Sequence, residues 1–181
     1  MKNILEQHKN HSFQYQLDFL VNIDYLQPEE AEQASNFLKF VWRETFSDFL
    51  SEEPANLLFA IETIKEWIDA TNVYIVVERT QDRKIVGIIT ASERADHVHI
   101  TNFYIDPNFQ RQGLGTRLLK SVFDKFSGFN IFTLRVFQKN LKARKFYLKQ
   151  GFCEVSVRDA IFITEKTPSI LMEKVLKGTN E

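Results

Sequence analysis

Gln110-Arg111-Gln112-Gly113-Leu114-Gly115-Thr116 stands between a strand-like run, His97 to Ile105 (HVHITNFYI), and an amphipathic run marked by Leu114, Leu118, Leu119, Val122, Phe123 and Phe126. Two glycines in three residues allow backbone conformations and close approaches that a Cβ would block. At a helix N-terminus the free N–H groups and the helix dipole form an anion site. Arg111 and Arg117 add positive charge, so the expected ligand is a phosphate or pyrophosphate. A P-loop requires Gly, four residues, Gly, Lys and Ser or Thr, which is absent here. A dinucleotide fingerprint requires a third glycine where Leu118 stands, and its first glycine follows the strand closely, whereas seven residues separate Ile105 from Gly113.

Downstream, Ile131 to Phe137 reads as a strand and Asn140 to Gln150 as a helix. Asn140 and Tyr147 are seven apart, two helical turns, and share a side, with Ala143 leaving room between them. Taken singly they have plain structural uses: Asn140 as an N-cap, Tyr147 as a half-buried residue, Gly151 as a C-cap. Upstream of the loop, Val73 to Glu78 and Lys84 to Ser92 are β-branched runs joined by a turn, a hairpin. Earlier still, Ser12 to Ile23 reads as a first strand. Pro28 with Glu29, Glu30 and Glu32 opens a helix running to about Phe46. A second helix carries Leu57, Leu58, Ile61, Ile64, Trp67 and Ile68. Phe152 to Val157 and Ile170 to Val175 close the chain as strands.

The order β, α, α, β, β, β, α, β, α, β, β is no strict alternation. It predicts an α/β (α+β) fold: one mixed central sheet of about seven strands and about four helices. The front half is antiparallel, and a crossover helix follows the fourth strand. No linker-like stretch or repeat divides residues 1–181, which read as one domain.

Composition narrows the function. The chain has 181 residues, 44% of them hydrophobic, enough for a sizeable core. One cysteine, Cys153, excludes a disulfide framework and a cysteine zinc cluster, so no metal is expected and a reduced, cytoplasmic setting is the simplest reading. No apolar run is long enough for a membrane helix. A net charge of −1 argues against a generally basic nucleic-acid binder. The total hides a division: residues 1–90 hold 8 Lys and Arg against 15 Asp and Glu, and residues 91–181 hold 15 against 9. One half favours a cation and the other an anion.

Together the two central segments resemble a family. Gln110-x-x-Gly113-x-Gly115, after Tyr104-Ile105-Asp106-Pro107, looks like the coenzyme A loop of the GNAT N-acetyltransferases. Asn140, Ala143, Phe146, Tyr147, Gly151 and Phe152 are similar to that family's second motif, and Ile170 to Lys174 fits its closing strand. The resemblance spans about Val73 to Val175 and implies an enzyme that moves an acetyl group from acetyl-CoA to a primary amine by direct attack. It implies that the amides of Arg111, Gln112, Gly113, Leu114, Gly115 and Thr116 hold the pyrophosphate. Free backbone groups of Phe103, Tyr104 and Ile105, on a bulged strand splayed from the fifth, would meet the pantetheine arm. Asn140 would hydrogen-bond the coenzyme, and Tyr147 would protonate the leaving thiolate. Relatives often place a Glu on the fourth strand as base; this strand offers His97, His99, Asn102 and Tyr104 instead.

The acceptor is the less determined partner. The acidic half carries the helices that line the acceptor side in such folds, which favours a small cationic amine. Trp42 to Phe49 looks similar to the corresponding helix of bacterial diamine and polyamine acetyltransferases. Trp42, Phe46, Phe49 and Asn102 are the candidate substrate residues, with Glu44 and Asp48 as charge partners. A protein acetyltransferase acting on a lysine or an N-terminus would need an open groove instead. A non-catalytic acyl-CoA sensor of the same fold is a third reading. The resemblance also allows a homodimer through the last strands. Cys153, beside Phe152 and Val155, is expected to be a buried, inert thiol.

Overall fold

The computed structural model describes residues 23–162 and 165–176. Its strands are β1 (Asp24–Tyr25), β2 (Val73–Arg79), β3 (Ile85–Glu93), β4 (Val98–Ile105), β5 (Ile131–Phe137), β6 (Cys153–Phe162) and β7 (Glu165–Val175). Its helices are α1 (Ala31–Phe46), α2 (Glu53–Leu58), α3 (Ile61–Asp69), α4 (Leu114–Lys125) and α5 (Leu141–Lys149). The strands make one sheet in the order β1-β2-β3-β4-β5-β7-β6. Every neighbouring pair is antiparallel except β4 and β5, which α4 connects in parallel. This is the mixed sheet that the element order predicts.

Alternating side chains put a core on each face of the sheet. Ile75, Val77, Ile85 and Ile88 meet Phe37, Leu38, Val41 and Ile64 under α1 to α3. Val76, Ile89, Ile100, Phe132 and Leu134 meet Leu118, Leu119 and Val122 of α4 on the other face. Among the described residues, no helix is long and apolar enough to cross a membrane.

Three expectations change, and a fourth lies outside the described residues. The first strand, Ser12 to Ile23, lies outside the described residues except for Ile23, which is not in a strand. The single helix expected across Leu57 to Ile68 is two, α2 and α3. Phe59 breaks it: its ring is buried in the core, its carbonyl accepts from Ser35 Oγ at 2.5 Å, and Ala60 is extended. The last two strands are longer than expected, because β6 is an edge strand whose exposed residues obscure the apolar pattern. For the same reason Cys153 is exposed rather than buried.

A buried ion pair ties the first helix to the sheet. Arg79 donates from Nε and Nη2 to Glu30 at 2.7 and 2.5 Å, and from Nη2 to the Tyr25 carbonyl at 3.0 Å. Burial pushes the Glu30 carboxyl up, but the hydrogen bonds from Arg79 and the Gln27 N–H outweigh it, so the group titrates below its ordinary 4.5. Glu30→Gln is therefore expected to cost about 1.5–3 kcal/mol in chemical denaturation at neutral pH. A carboxylate with a lowered folded value contributes fully above the unfolded value and loses that contribution as pH falls through the folded one. The gap between wild type and variant should accordingly narrow in denaturation curves as pH falls below the ordinary value of 4.5 and through the lowered one.

Candidate active site

The site begins where the sheet opens. Thr90 pairs with Asn102 and Ala91 with Ile100, so Thr101 is an extra residue in β4, a bulge. β4 pairs with β5 only at Val98, His99 and Ile100. Beyond the bulge the two strands part. The Asn102 N–H points towards β3, onto Thr90 Oγ1 at 3.0 Å, and the Asp106 N–H meets the Val86 carbonyl at 2.9 Å. The two-residue period of a strand then turns the backbone groups of Phe103 and Ile105 the other way, into the opening. Tyr104 pairs with Ile88, so its backbone faces β3, and only two of the three expected backbone contacts are available.

The glycine loop follows directly. Asp106 is buried, and its carboxylate accepts from the Asn108 N–H at 2.9 Å and from Asn108 Nδ2 at 3.1 Å, which sets a short 3-10 turn over Pro107–Phe109. Arg111 and Gly113 both have positive φ, 63° and 84°. Gly113 is the N-cap of α4 and offers no side chain to the first helical N–H groups. Those groups are donors without a helical partner, aimed out of the helix. A Cβ on Gly113 would meet only Arg117 Nη1, at 3.9 Å, so the loop is open above it. A left-handed backbone with free donors and open space suits a pyrophosphate. The second glycine acts differently. A Cβ on Gly115 would lie 3.2 Å from Phe146 Cζ and 3.6 Å from Phe103 Cζ, so its bareness lets α4 seat against α5 and β4.

Arg117 does not serve the loop as expected. It forms an ion pair with Glu78, whose side chain is 1% exposed. Burial raises the Glu78 carboxyl against the pull of Arg117, and Glu78 Oε2 has no hydrogen-bond partner among the described residues. Arg111 is the exposed cation of the loop.

α5 closes the opening from the far side. Asn140 caps it, Oδ1 accepting from the Ala143 N–H at 3.1 Å. Gly151, at φ 84°, ends it and turns Phe152 into the core. The Tyr147 ring is 8% exposed and packs 6.1 Å from Phe103 and 5.8 Å from Phe152, centroid to centroid. Burial pushes the Tyr147 phenol well above its ordinary value. Tyr104 comes from the opposite face, packed on Phe59 at 6.0 Å. Burial raises its phenol too, with Tyr147 adding to the shift. Both phenols therefore keep their protons and can donate.

The acceptor side differs from expectation. Trp42 and Phe46 are 3% and 5% exposed and pack with Phe59 and Phe137, so they stand behind the wall rather than form its surface. Phe49 is half-buried, and Glu44 and Asp48 are exposed on α1 and just after it. Asn102 is buried, with Nδ2 on Thr90 Oγ1 at 3.0 Å. Thr90 escaped the sequence reading: only the bulge register brings it under Asn102. His97 holds Asp96 at 2.7 Å, and His99 holds Thr133 Oγ1 at 2.8 Å. Burial, helped by Arg94, His97 and Arg135, keeps His99 below its ordinary value and hence neutral. Both histidines line an open groove of about 440 Å³ with Thr133, Arg135, Arg158 and Glu173. It lies on the sheet face of Asn102 and Tyr104, beside the foot of the opening.

Known proteins share this sequence pattern and fold. A model of the acetyltransferase (GNAT) family matches residues 35–152. The ribosomal protein bS18 alanine N-acetyltransferase of Haemophilus ducreyi is 28% identical over 118 residues, 59% of this chain and 81% of that protein. The enzyme of the same name from Escherichia coli is 31% identical over 87 residues, and the match spans 47% of this chain and 59% of its relative. Among solved structures, the PaiA N-acetyltransferase of Thermoplasma acidophilum in complex with coenzyme A superposes with a TM-score of 0.72 at 21% identity, covering 86% of this chain and 98% of that one.

Proposed function

The chain belongs to the acetyltransferase (GNAT) family, an N-acetyltransferase that takes its acetyl group from acetyl-CoA, and on that premise we propose that its acceptor is the free α-amino group of a protein chain. The observation that carries this is the open groove lined by His97, His99, Thr133, Arg135 and Arg158, beside the point where β4 and β5 part. A small amine needs a closed acidic pocket, and Trp42 and Phe46, two of the aromatic residues expected to wall one, are packed in the core. The curated relatives named above act on a protein alanine, which supports the same reading.

The chemistry of the acceptor agrees with the residues present. An α-amino group has a pKa of about 7.7–8.0 and a lysine about 10.4, so near neutral pH the first is partly deprotonated already. It needs no strong base, and β4 carries no carboxylate beside the opening. Asn102 and Tyr104 would orient a water that takes the proton. Acetyl-CoA supplies an acetyl group activated as a thioester. The free N–H groups of residues 111–116 would hold its pyrophosphate, and the backbone of Phe103 and Ile105 its pantetheine arm. Asn140 keeps its Nδ2 donors for the same arm while Oδ1 caps α5. The Tyr147 hydroxyl would give its proton to the departing thiolate.

A panel of acceptors tests this by thiol release. A peptide with a free α-amine should exceed spermidine and putrescine in kcat/KM by at least about tenfold. The opposite order would favour the second reading, a small cationic amine, which rests on the exposed Glu44 and Asp48 and on the acidic first half of the chain.

A further inference from the structure

The groove beside the site carries an arrangement that acetyl transfer itself does not use. Arg135 on β5 and Arg158 on β6 both line it. Arg135 lies two residues before Phe137, on the face that packs under α1. Among the described residues neither guanidinium is in an ion pair; Arg135 Nη1 has the Ser169 hydroxyl at 3.0 Å. Ser169 links the two positions, accepting from Arg135 Nη1 and donating from its hydroxyl to the Arg158 carbonyl at 3.4 Å; burial, with the charge of Arg158 adding to it, lowers the affinity of Arg135 for its proton. Two like charges on the lining of an open groove repel one another, and an anion held between them relieves that repulsion. The neighbouring carboxylates do not supply it: Asp96 is engaged by His97, and Glu173 pairs with neither arginine. His99 is held neutral, with Nδ1 on Thr133, so it adds no charge of its own.

Position tells what the anion belongs to. Ile100 is level with Leu134 across the parallel pair, so Arg135 is level with the bulge at Thr101, where the opening starts. An extended chain advances about 3.3 Å per residue. An acceptor whose first nitrogen reaches the opening therefore lays its second to fourth residues over Arg135 and Arg158. From this juxtaposition we infer that Arg135 and Arg158 form a specificity subsite for an aspartate or glutamate side chain at the second to fourth position of the acceptor. The inference rests on the α-amine reading given above.

Acetylation kinetics on otherwise identical peptides test it, with Asp, Glu, Ala or Lys placed in turn at positions 2, 3 and 4. The wild type should favour one acidic position over Lys by about tenfold in kcat/KM, expressed in KM with kcat unchanged. The Arg135→Gln/Arg158→Gln double variant should lose that ratio, and the Arg135→Glu/Arg158→Glu variant should invert it. An inverted preference is a result that mere misfolding cannot produce. Equal efficiency on all peptides, or an acid preference that survives in the double Gln variant, would overturn the subsite while leaving the α-amine reading intact. Acetylation of polyamines but of no peptide would overturn both.

Discussion

Tyr147→Phe is expected to lower kcat by about 100- to 1,000-fold, the range for removing a positioned proton donor. Coenzyme affinity should hardly change. The ring supplies the packing: its contacts with Phe103 and Phe152 involve carbon atoms that Phe keeps. The lost group is one hydroxyl, held protonated by burial, on a ring that packs against Phe103 of β4. Single-turnover kinetics with saturating acetyl-CoA, beside calorimetry of coenzyme binding, separate the two quantities. An unchanged kcat would remove Tyr147 as the acid. Rescue by a more acidic leaving thiol in an acyl donor would show that the hydroxyl acts at that atom.

Gly113→Val is expected to weaken coenzyme binding by about 100-fold or more. The native φ of 84° is a conformation that a β-branched residue resists, at a cost of about 1–3 kcal/mol. The helix would relieve it by turning the N-cap, which would withdraw the donors proposed to hold the pyrophosphate. Each charge-assisted hydrogen bond lost costs about 1.5–3 kcal/mol more. Space is not the cause, since only Arg117 Nη1 stands near a Cβ there. A normal circular dichroism spectrum with lost calorimetric binding is the expected pair of results. Retained affinity would move the pyrophosphate elsewhere.

Much of this site is legible in the chain because its parts are local. The loop from Gln110 to Thr116 and the helix from Asn140 to Phe152 each announce themselves by spacing, and α4, β5 and α5 fall where the periods put them. What is not legible depends on partners distant in sequence. Glu78 and Arg117 are 39 residues apart, and nothing in either segment says that the arginine is claimed by a buried carboxylate rather than by the loop. Thr90 meets Asn102 only because one extra residue shifts the β3–β4 register. Trp42 and Phe46 have the composition of a pocket wall and of a core alike, and α1 turns them inward against Phe59 and Phe137. Cys153 looked buried beside Phe152, yet β6 is an edge strand on which every residue from Cys153 to Asp159 is exposed, and the cysteine is exposed with them.

A peptide with a free α-amine and an internal lysine, incubated with acetyl-CoA and the protein, is mapped by fragmentation mass spectrometry. One acetyl group is expected, on the α-amine, formed together with one equivalent of free thiol. Acetylation of the lysine alone, or thiol release only when a polyamine replaces the peptide, would contradict the α-amine reading.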